Sequence, residues 1–230
     1  GAVDVFPKPR GGIQSEEEAF TAELLNKIRV VNGVVVFHKA QPGGAAAPAP
    51  AAVPVAASTA PRIAAIGAST GGPQALSALL STVPANFSVP IVCVQHISVG
   101  FLGGLVEWLD SQSPLKVLIA EDGTEAQPGH VYFPAEDRHL EIDAGGRLRT
   151  VEREHFQGFR PSVTVLFESI AKSYGAAAIG ILLTGMGEDG AAGLKSMHTA
   201  GATTIAQDEA TSTVFGMPRQ AIEVGAACRR

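Results

Sequence analysis

Ser69 stands in a glycine-rich turn that directly follows a short apolar run of the chain. The run 63–66 is typical of a buried strand, and the turn leads into a helix that begins near Pro73. A hydroxyl at this place lies beside a helix N-terminus, whose free backbone N–H groups stabilise developing negative charge. The pattern Gly67-x-Ser69-x-Gly71 also matches a nucleophile elbow, although such turns equally cap helices or hold phosphates. We interpret Ser69 as a nucleophile.

Two other strand ends carry the residues that acyl-transfer chemistry requires beside a serine. His96 follows the apolar run ending at Val94, and Asp189 lies in a glycine-rich segment after the run ending at Leu183. The carboxyl ends of parallel strands lie along one edge of a sheet, so we expect the three side chains to converge there. Histidine accepts the serine proton, and a carboxylate orients the imidazole and stabilises its charged form. The sequence therefore predicts a Ser-His-Asp triad.

Both partners of Ser69 also have a purely structural interpretation. His96 could be a histidine of the core, and Asp189 could cap a helix that begins at Ala191. The order Ser, His, Asp along the chain differs from the Ser, Asp, His order of the α/β-hydrolases, so that fold is disfavoured.

The surroundings of the triad are expected to supply an oxyanion hole. We predict Met186, Thr70 and Gly187 at this place, with the backbone N–H of Met186 or of a neighbour as the donor. We expect no cofactor, because the dinucleotide and nucleoside-triphosphate loop patterns are both absent. A metal site is also not expected, since no ligand-type spacing connects His130, His139, His155 and His198.

Apolar runs alternate with helical patterns from Arg62 onward. This alternation predicts an α/β fold of the doubly wound class, with a mostly parallel sheet and helices on both faces. A small antiparallel hairpin at one edge is predicted from the runs 130–133 and 140–142. The other predicted strands are 63–66, 90–94, 115–120, 178–183 and 203–206, and the predicted helices are 74–81, 101–111, 163–173 and 191–200.

The composition argues against several classes of partner. A net charge of -5 with only 17 Lys and Arg gives no basic surface for nucleic acid. No stretch approaches the roughly 20 apolar residues of a membrane span, and the layout of a signal peptide is absent, so we expect no membrane insertion. Cys93 and Cys228 cannot build a disulfide scaffold, which makes the reducing cytoplasm the expected location.

The first 61 residues differ in character from the rest. A capping box at Ser15–Glu18 predicts an amphipathic helix from about residue 16. The segment 41–61 contains nine Ala, five Pro and two Gly and carries no charge, which is typical of an extended linker. We therefore divide the chain into residues 1–40, a linker at 41–61 and a compact domain at 62–230.

Several longer motifs occur in order along this compact domain. Together they resemble the catalytic domain of the bacterial chemotaxis protein-glutamate methylesterases, the CheB family. The motifs are Ile66-Gly-Ala-Ser-Thr-Gly-Gly72, Gln95-His96, Arg160-Pro-Ser-Val163, Leu183-Thr-Gly-Met-Gly187, Asp189-Gly-Ala-Ala-Gly193 and Phe215-Gly-Met-Pro-Arg219.

This resemblance implies an activity and a set of roles. In the family, the serine corresponding to Ser69 is the nucleophile, the histidine corresponding to His96 is the base, and the aspartate corresponding to Asp189 orients it. The implied reaction is hydrolysis of glutamate γ-methyl esters on the cytoplasmic helices of methyl-accepting chemoreceptors, with deamidation of certain glutamines. An esterase or amidase for another substrate, and a non-catalytic signalling module that binds an anion or a partner, are the alternatives.

The start of the chain carries a second resemblance. The run from Gly1 to Asp4, the pair Lys8-Pro9 and the helix that follows are similar to the end of a response-regulator receiver domain. Residues 1–40 are therefore interpreted as the C-terminal remnant of such a domain, which implies a histidine kinase as a further partner. The aromatic switch residue of that family would fall at Val5, which is a departure from its pattern.

Overall fold

The computed structural model describes residues 60–227. The receiver remnant predicted at 1–40, nearly all of the linker predicted at 41–61, and Cys228 lie outside the described residues. The described part includes every residue that the sequence predicts for the triad and its surroundings.

Eight strands occur in the described part, and six of them form one parallel sheet. In this sheet the strands lie in the order β3-β4-β2-β1-β7-β8, and each neighbouring pair is parallel. The remaining two, β5 and β6, form a separate antiparallel pair. In chain order the strands are β1 (Ile63–Ala68), β2 (Ile91–Gln95), β3 (Lys116–Ile119), β4 (His130–Phe133), β5 (His139–Ile142), β6 (Leu148–Val151), β7 (Ala178–Leu182) and β8 (Thr203–Ala206).

Helices cover both faces of the parallel sheet. Successive side chains of a strand point to opposite faces, and in β1 Ile66 packs in one core with α1 and α2, whereas Ile63 packs in the other with α3, α4 and α5. This arrangement confirms the predicted doubly wound α/β class. The helices are α1 (Gly72–Leu80), α2 (Leu102–Gln112), α3 (Val163–Tyr174), α4 (Ala191–Thr199) and α5 (Met217–Glu223), with a 3₁₀ turn at Gly175–Ala177.

The predicted hairpin pairs the wrong strands. Strand β4 (His130–Phe133) lies inside the parallel sheet, between β3 and β2, and does not pair with β5. The reason is burial on both faces, because Val131, Tyr132 and Phe133 are at most 3% exposed. The antiparallel partner of β5 is β6 (Leu148–Val151), which the sequence analysis did not identify because Leu148 is its single buried residue.

The other strands and helices predicted from Arg62 onward are confirmed with boundaries within two residues. Helix α5, which was not predicted, has only seven residues and carries Pro218 in its first turn. Helix α3 begins where the side chain of Ser162 accepts a hydrogen bond from the backbone N–H of Val165, an N-cap of the ordinary kind.

The burial of β4 makes Phe133 a test of the packing of this strand. Its ring is fully buried, so we expect Phe133→Ala to lower the free energy of unfolding by about 3 to 5 kcal/mol in urea titrations. Val99, which is 69% exposed, provides the control, and Val99→Ala should change stability by less than about 0.5 kcal/mol. Equal effects of the two substitutions would contradict the burial of Phe133.

Candidate active site

The register of β1 and β2 places Ser69 and His96 beside each other. Ala68 and Gln95 are paired across the two strands, and Ser69 and His96 are the residues that follow them. The backbone N–H of His96 donates to the carbonyl of Ala68 at 3.0 Å. The buried side chain of Gln95 donates to the carbonyls of both Ser69 and His96, each at 2.8 Å. Gln95 therefore fixes the two strand ends relative to each other.

The third residue, Asp189, follows β7, which is the other strand beside β1. The turn after β7 is tied to the first strand, because the N–H of Ser69 donates to the carbonyl of Thr184 at 3.0 Å. Asp189 then brings its Oδ2 to 2.8 Å from Nε2 of His96. The structure thus brings His96 and Asp189 into direct contact, with Ser69 on the adjacent strand end. Among the described residues no hydrogen bond joins the Ser69 hydroxyl to the imidazole.

The carboxylate of Asp189 is buried at the N-terminus of α3. Its Oδ1 accepts from the Ser162 hydroxyl at 2.8 Å and the Thr164 N–H at 3.1 Å, and its Oδ2 accepts from the Val163 N–H at 2.7 Å. These groups supply hydrogen bonds and the positive end of the helix dipole. The alternative in which Asp189 caps the helix at Ala191 is wrong, since α4 has Gly190 as its N-cap and no side-chain cap bond.

This environment keeps the carboxylate ionised. Burial by itself raises the pKa of Asp189, but hydrogen bonds from His96 and from the start of α3 outweigh it and lower the pKa to about 2. A fixed negative charge therefore lies against the imidazole at neutral pH, where it stabilises a positive charge on the ring.

The direction of the hydrogen bond defines which nitrogen of His96 is free. Because Nε2 lies against Asp189, the neutral ring carries its proton on Nε2 and leaves the lone pair on Nδ1. Nδ1 is buried and has no hydrogen-bond partner among residues 60–227. The two ring nitrogens thus have the opposite roles from those in the common Ser-His-Asp triad, in which the aspartate binds Nδ1.

The residues predicted for the oxyanion hole lie in and beside the turn after β7. Gly185 comes so close to Ser69 that a Cβ at position 185 would lie 2.8 Å from the Ser69 Cβ. Met186, which is half-buried, follows directly, and its N–H takes part in no hydrogen bond of the described residues. Gly187 has a φ of 88°. The carbonyl of Thr70 accepts from the Thr184 hydroxyl at 2.9 Å, which joins this turn to the loop after Ser69.

One aromatic contact at the site was missed by the sequence analysis. The imidazole of His96 stacks on the ring of Phe159, with centroids 4.3 Å apart and planes 7° from parallel. Phe159 lies far in sequence from β1 and β2, so no local pattern indicated this contact. It also lines a groove of about 580 Å³ with Met186, Phe215 and Arg219.

Between residues 60 and 227 no three His, Cys, Asp or Glu side chains are grouped so as to hold a metal ion. Within the same residues no helix combines the length and apolar character that a membrane span needs. Cys93 is fully buried, and burial raises the pKa of its thiol, so it is a neutral residue of the core.

Comparison with known proteins gives a consistent result. A family model described as CheB methylesterase matches residues 64–230. A protein-glutamate methylesterase/protein-glutamine glutaminase of Myxococcus xanthus is 43% identical over 95% of this chain and 62% of its own length. A protein of the same name from Burkholderia thailandensis is 50% identical over 99% of this chain and 65% of its own length. The chain therefore spans less than two thirds of the length of these relatives.

A solved structure agrees with the fold described above. The crystal structure of the Thermotoga maritima CheB methylesterase catalytic domain superposes with a TM-score of 0.71 at 40% sequence identity. The match covers 74% of this chain and 92% of that domain.

The buried carboxylate makes stability depend on pH in a defined direction. The folded-state pKa of Asp189, about 2, lies below the unfolded value of about 3.9. Its stabilisation, about 2 to 3 kcal/mol, is therefore complete above pH ~4 and is lost as the pH falls through ~2. Asp189→Asn lacks this titration, so we expect the stability difference between wild type and variant to shrink over that range. Urea titrations at several pH values measure it.

Glu107 is exposed on α2 and provides the control for this experiment. Glu107→Gln should retain the pH dependence of the wild type. A stability difference between wild type and Asp189→Asn that stays constant from about pH 5 to pH 2 would contradict the buried, ionised carboxylate.

Proposed function

Since this chain belongs to the CheB methylesterase family, we propose that it hydrolyses γ-methyl esters of glutamate residues on the cytoplasmic helices of methyl-accepting chemoreceptors. We propose that it also deamidates glutamines there, because an amide and an ester lead to the same acyl intermediate. The observation that carries the proposal is the Asp189–His96 hydrogen bond of 2.8 Å, formed beside Ser69 at the carboxyl ends of neighbouring strands.

The first half of the reaction acylates Ser69. Its Oγ attacks the ester carbonyl and its proton passes to Nδ1 of His96, the nitrogen that faces away from Asp189. The ionised carboxylate of Asp189 stabilises the imidazolium, and backbone N–H groups near Met186 stabilise the oxyanion. When the tetrahedral intermediate collapses, the bond from the carbonyl carbon to the methoxy oxygen breaks and the imidazolium gives its proton to that oxygen, so methanol leaves.

The second half hydrolyses the acyl-enzyme. A water molecule attacks the acyl carbonyl as Nδ1 of His96 takes one of its protons. Collapse of this second intermediate breaks the bond to Oγ, and the imidazolium gives the proton to Ser69. The products are a glutamate carboxylate and the enzyme in its starting protonation state.

The groove beside the triad suits the side chain of a substrate. Phe159, Met186 and Phe215 provide its apolar part, which matches the methylene chain of a glutamyl ester. Arg219 lies at the same groove with its side chain 59% exposed. We propose that the substrate helix lies across this groove and inserts its methylated side chain toward Ser69.

The remaining parts of the proposal concern regulation and location. Residues 1–40 are proposed to be the end of a receiver domain that a histidine kinase phosphorylates, and residues 41–61 a linker from it to the catalytic domain at 62–230. A cytoplasmic location follows from the proposed substrate, whose methylated helices are cytoplasmic. Neither nucleic acid nor membrane insertion forms part of this function.

Replacement of the nucleophile provides the main test. We expect Ser69→Ala to lower the rate of methanol release from receptor membranes carrying a labelled methyl group by roughly 10⁴-fold or more. Ser111, exposed at the end of α2, is the matched control, and Ser111→Ala should keep the wild-type rate. Methanol release by Ser69→Ala at the wild-type rate would refute the mechanism. Wild-type activity on small acetate esters alone would point to another substrate.

A further inference from the structure

We propose that Phe159 is a positioning residue for His96, whose ring face it supports during proton transfer. The proposal rests on the triad chemistry proposed above and assigns a role to a residue outside the triad. Its basis is the contact between the two rings, together with the way in which the chain holds Phe159 in place.

The hydrogen bond to Asp189 does not fix the imidazole by itself. A hydrogen bond at Nε2 restrains the ring at one atom only, so the ring can still tilt by small rotations about the Cα–Cβ and Cβ–Cγ bonds of His96, and such a tilt moves Nδ1. The ring of Phe159 lies parallel to the imidazole at 4.3 Å and blocks this tilt from one face. The negative face of an aromatic ring also attracts a cation, so the stack stabilises the imidazolium that forms during the reaction.

A tight turn determines where Phe159 lies. Phe156 and Phe159 exchange two backbone hydrogen bonds of 3.0 and 2.9 Å. The two residues between them, Gln157 and Gly158, have φ values of 50° and 86°, as in a two-residue hairpin turn of type I′. Phe159 is the last residue of this compact turn, so the geometry of the turn determines where its ring lies.

The residues after the turn attach it to the rest of the domain. Arg160 donates to both carboxylate oxygens of Asp137, at 2.8 and 2.6 Å, and to the carbonyl of Arg153 at 2.7 Å. Two residues later, Ser162 donates to Asp189 at 2.8 Å. One short segment therefore contacts both His96 and Asp189, and the planar guanidinium of Arg160 anchors it between the two contacts.

The test compares kcat and KM for methanol release, and the rate of Ser69 acylation by p-nitrophenyl acetate, among three variants and the wild type. Phe159→Leu removes the stack but keeps an apolar side chain, and we expect kcat and the acylation rate to fall about tenfold while KM changes less than about twofold. Phe159→Tyr restores an aromatic face and should return kcat to within about threefold of the wild type.

Phe156 gives the matched control. It occupies the other end of the same turn and lines a separate cavity with Glu168 and Lys172, so Phe156→Leu should keep the wild-type kcat. Circular dichroism confirms that each variant is folded, and Phe159→Met replaces the leucine variant if that one does not fold.

Three outcomes would overturn the proposal. They are a wild-type kcat in Phe159→Leu, a kcat in Phe159→Tyr as low as in Phe159→Leu, and an equal loss in Phe156→Leu. A wild type without Ser69-dependent release would instead refute the proposed function, and the positioning role with it.

Discussion

The site depends on one buried interaction, the contact of the Asp189 carboxylate with the start of α3 and with His96. A carboxylate that is 1% exposed loses its hydration, and the loss is offset because His96 and the residues at the start of α3 donate hydrogen bonds to it. The same oxygen that binds Val163 also binds the imidazole. The start of a structural helix and the orientation of the proposed base are therefore determined by one side chain.

The order of strands explains why this contact forms beside Ser69. The first strand, β1, lies between β2 and β7, so the strand order continues to one side of β1 through β2 and to its other side through β7. Helices α1 and α3 then lie on opposite faces, and a crevice opens at the carboxyl ends of these strands, as in other doubly wound sheets. Each of the three strand ends supplies one residue, and Gln95 and Thr184 connect their backbones.

The features that were predicted correctly from the sequence are those that local residue patterns determine. Ser69, His96 and Asp189 were identified because each follows an apolar run, and parallel strands end at the same edge. Contacts between distant segments were not predictable in this way. By itself the run 130–133 resembles an edge strand. In the fold its side chains are buried on both faces of the sheet, as is typical of a strand that pairs with β2 inside the parallel sheet. Asp189 was equally consistent with capping α4, and the preference for α3 comes from tertiary contacts alone.

The most direct test of this account is the tautomer of the neutral His96 ring, observed by ¹⁵N NMR in protein labelled at histidine. We predict that Nε2 carries a proton in a hydrogen bond to Asp189, that Nδ1 is unprotonated, and that Asp189→Asn abolishes this pattern. A proton on Nδ1 of the neutral ring, or a pattern unchanged in Asp189→Asn, would contradict the central claim that the buried carboxylate orients the base through Nε2.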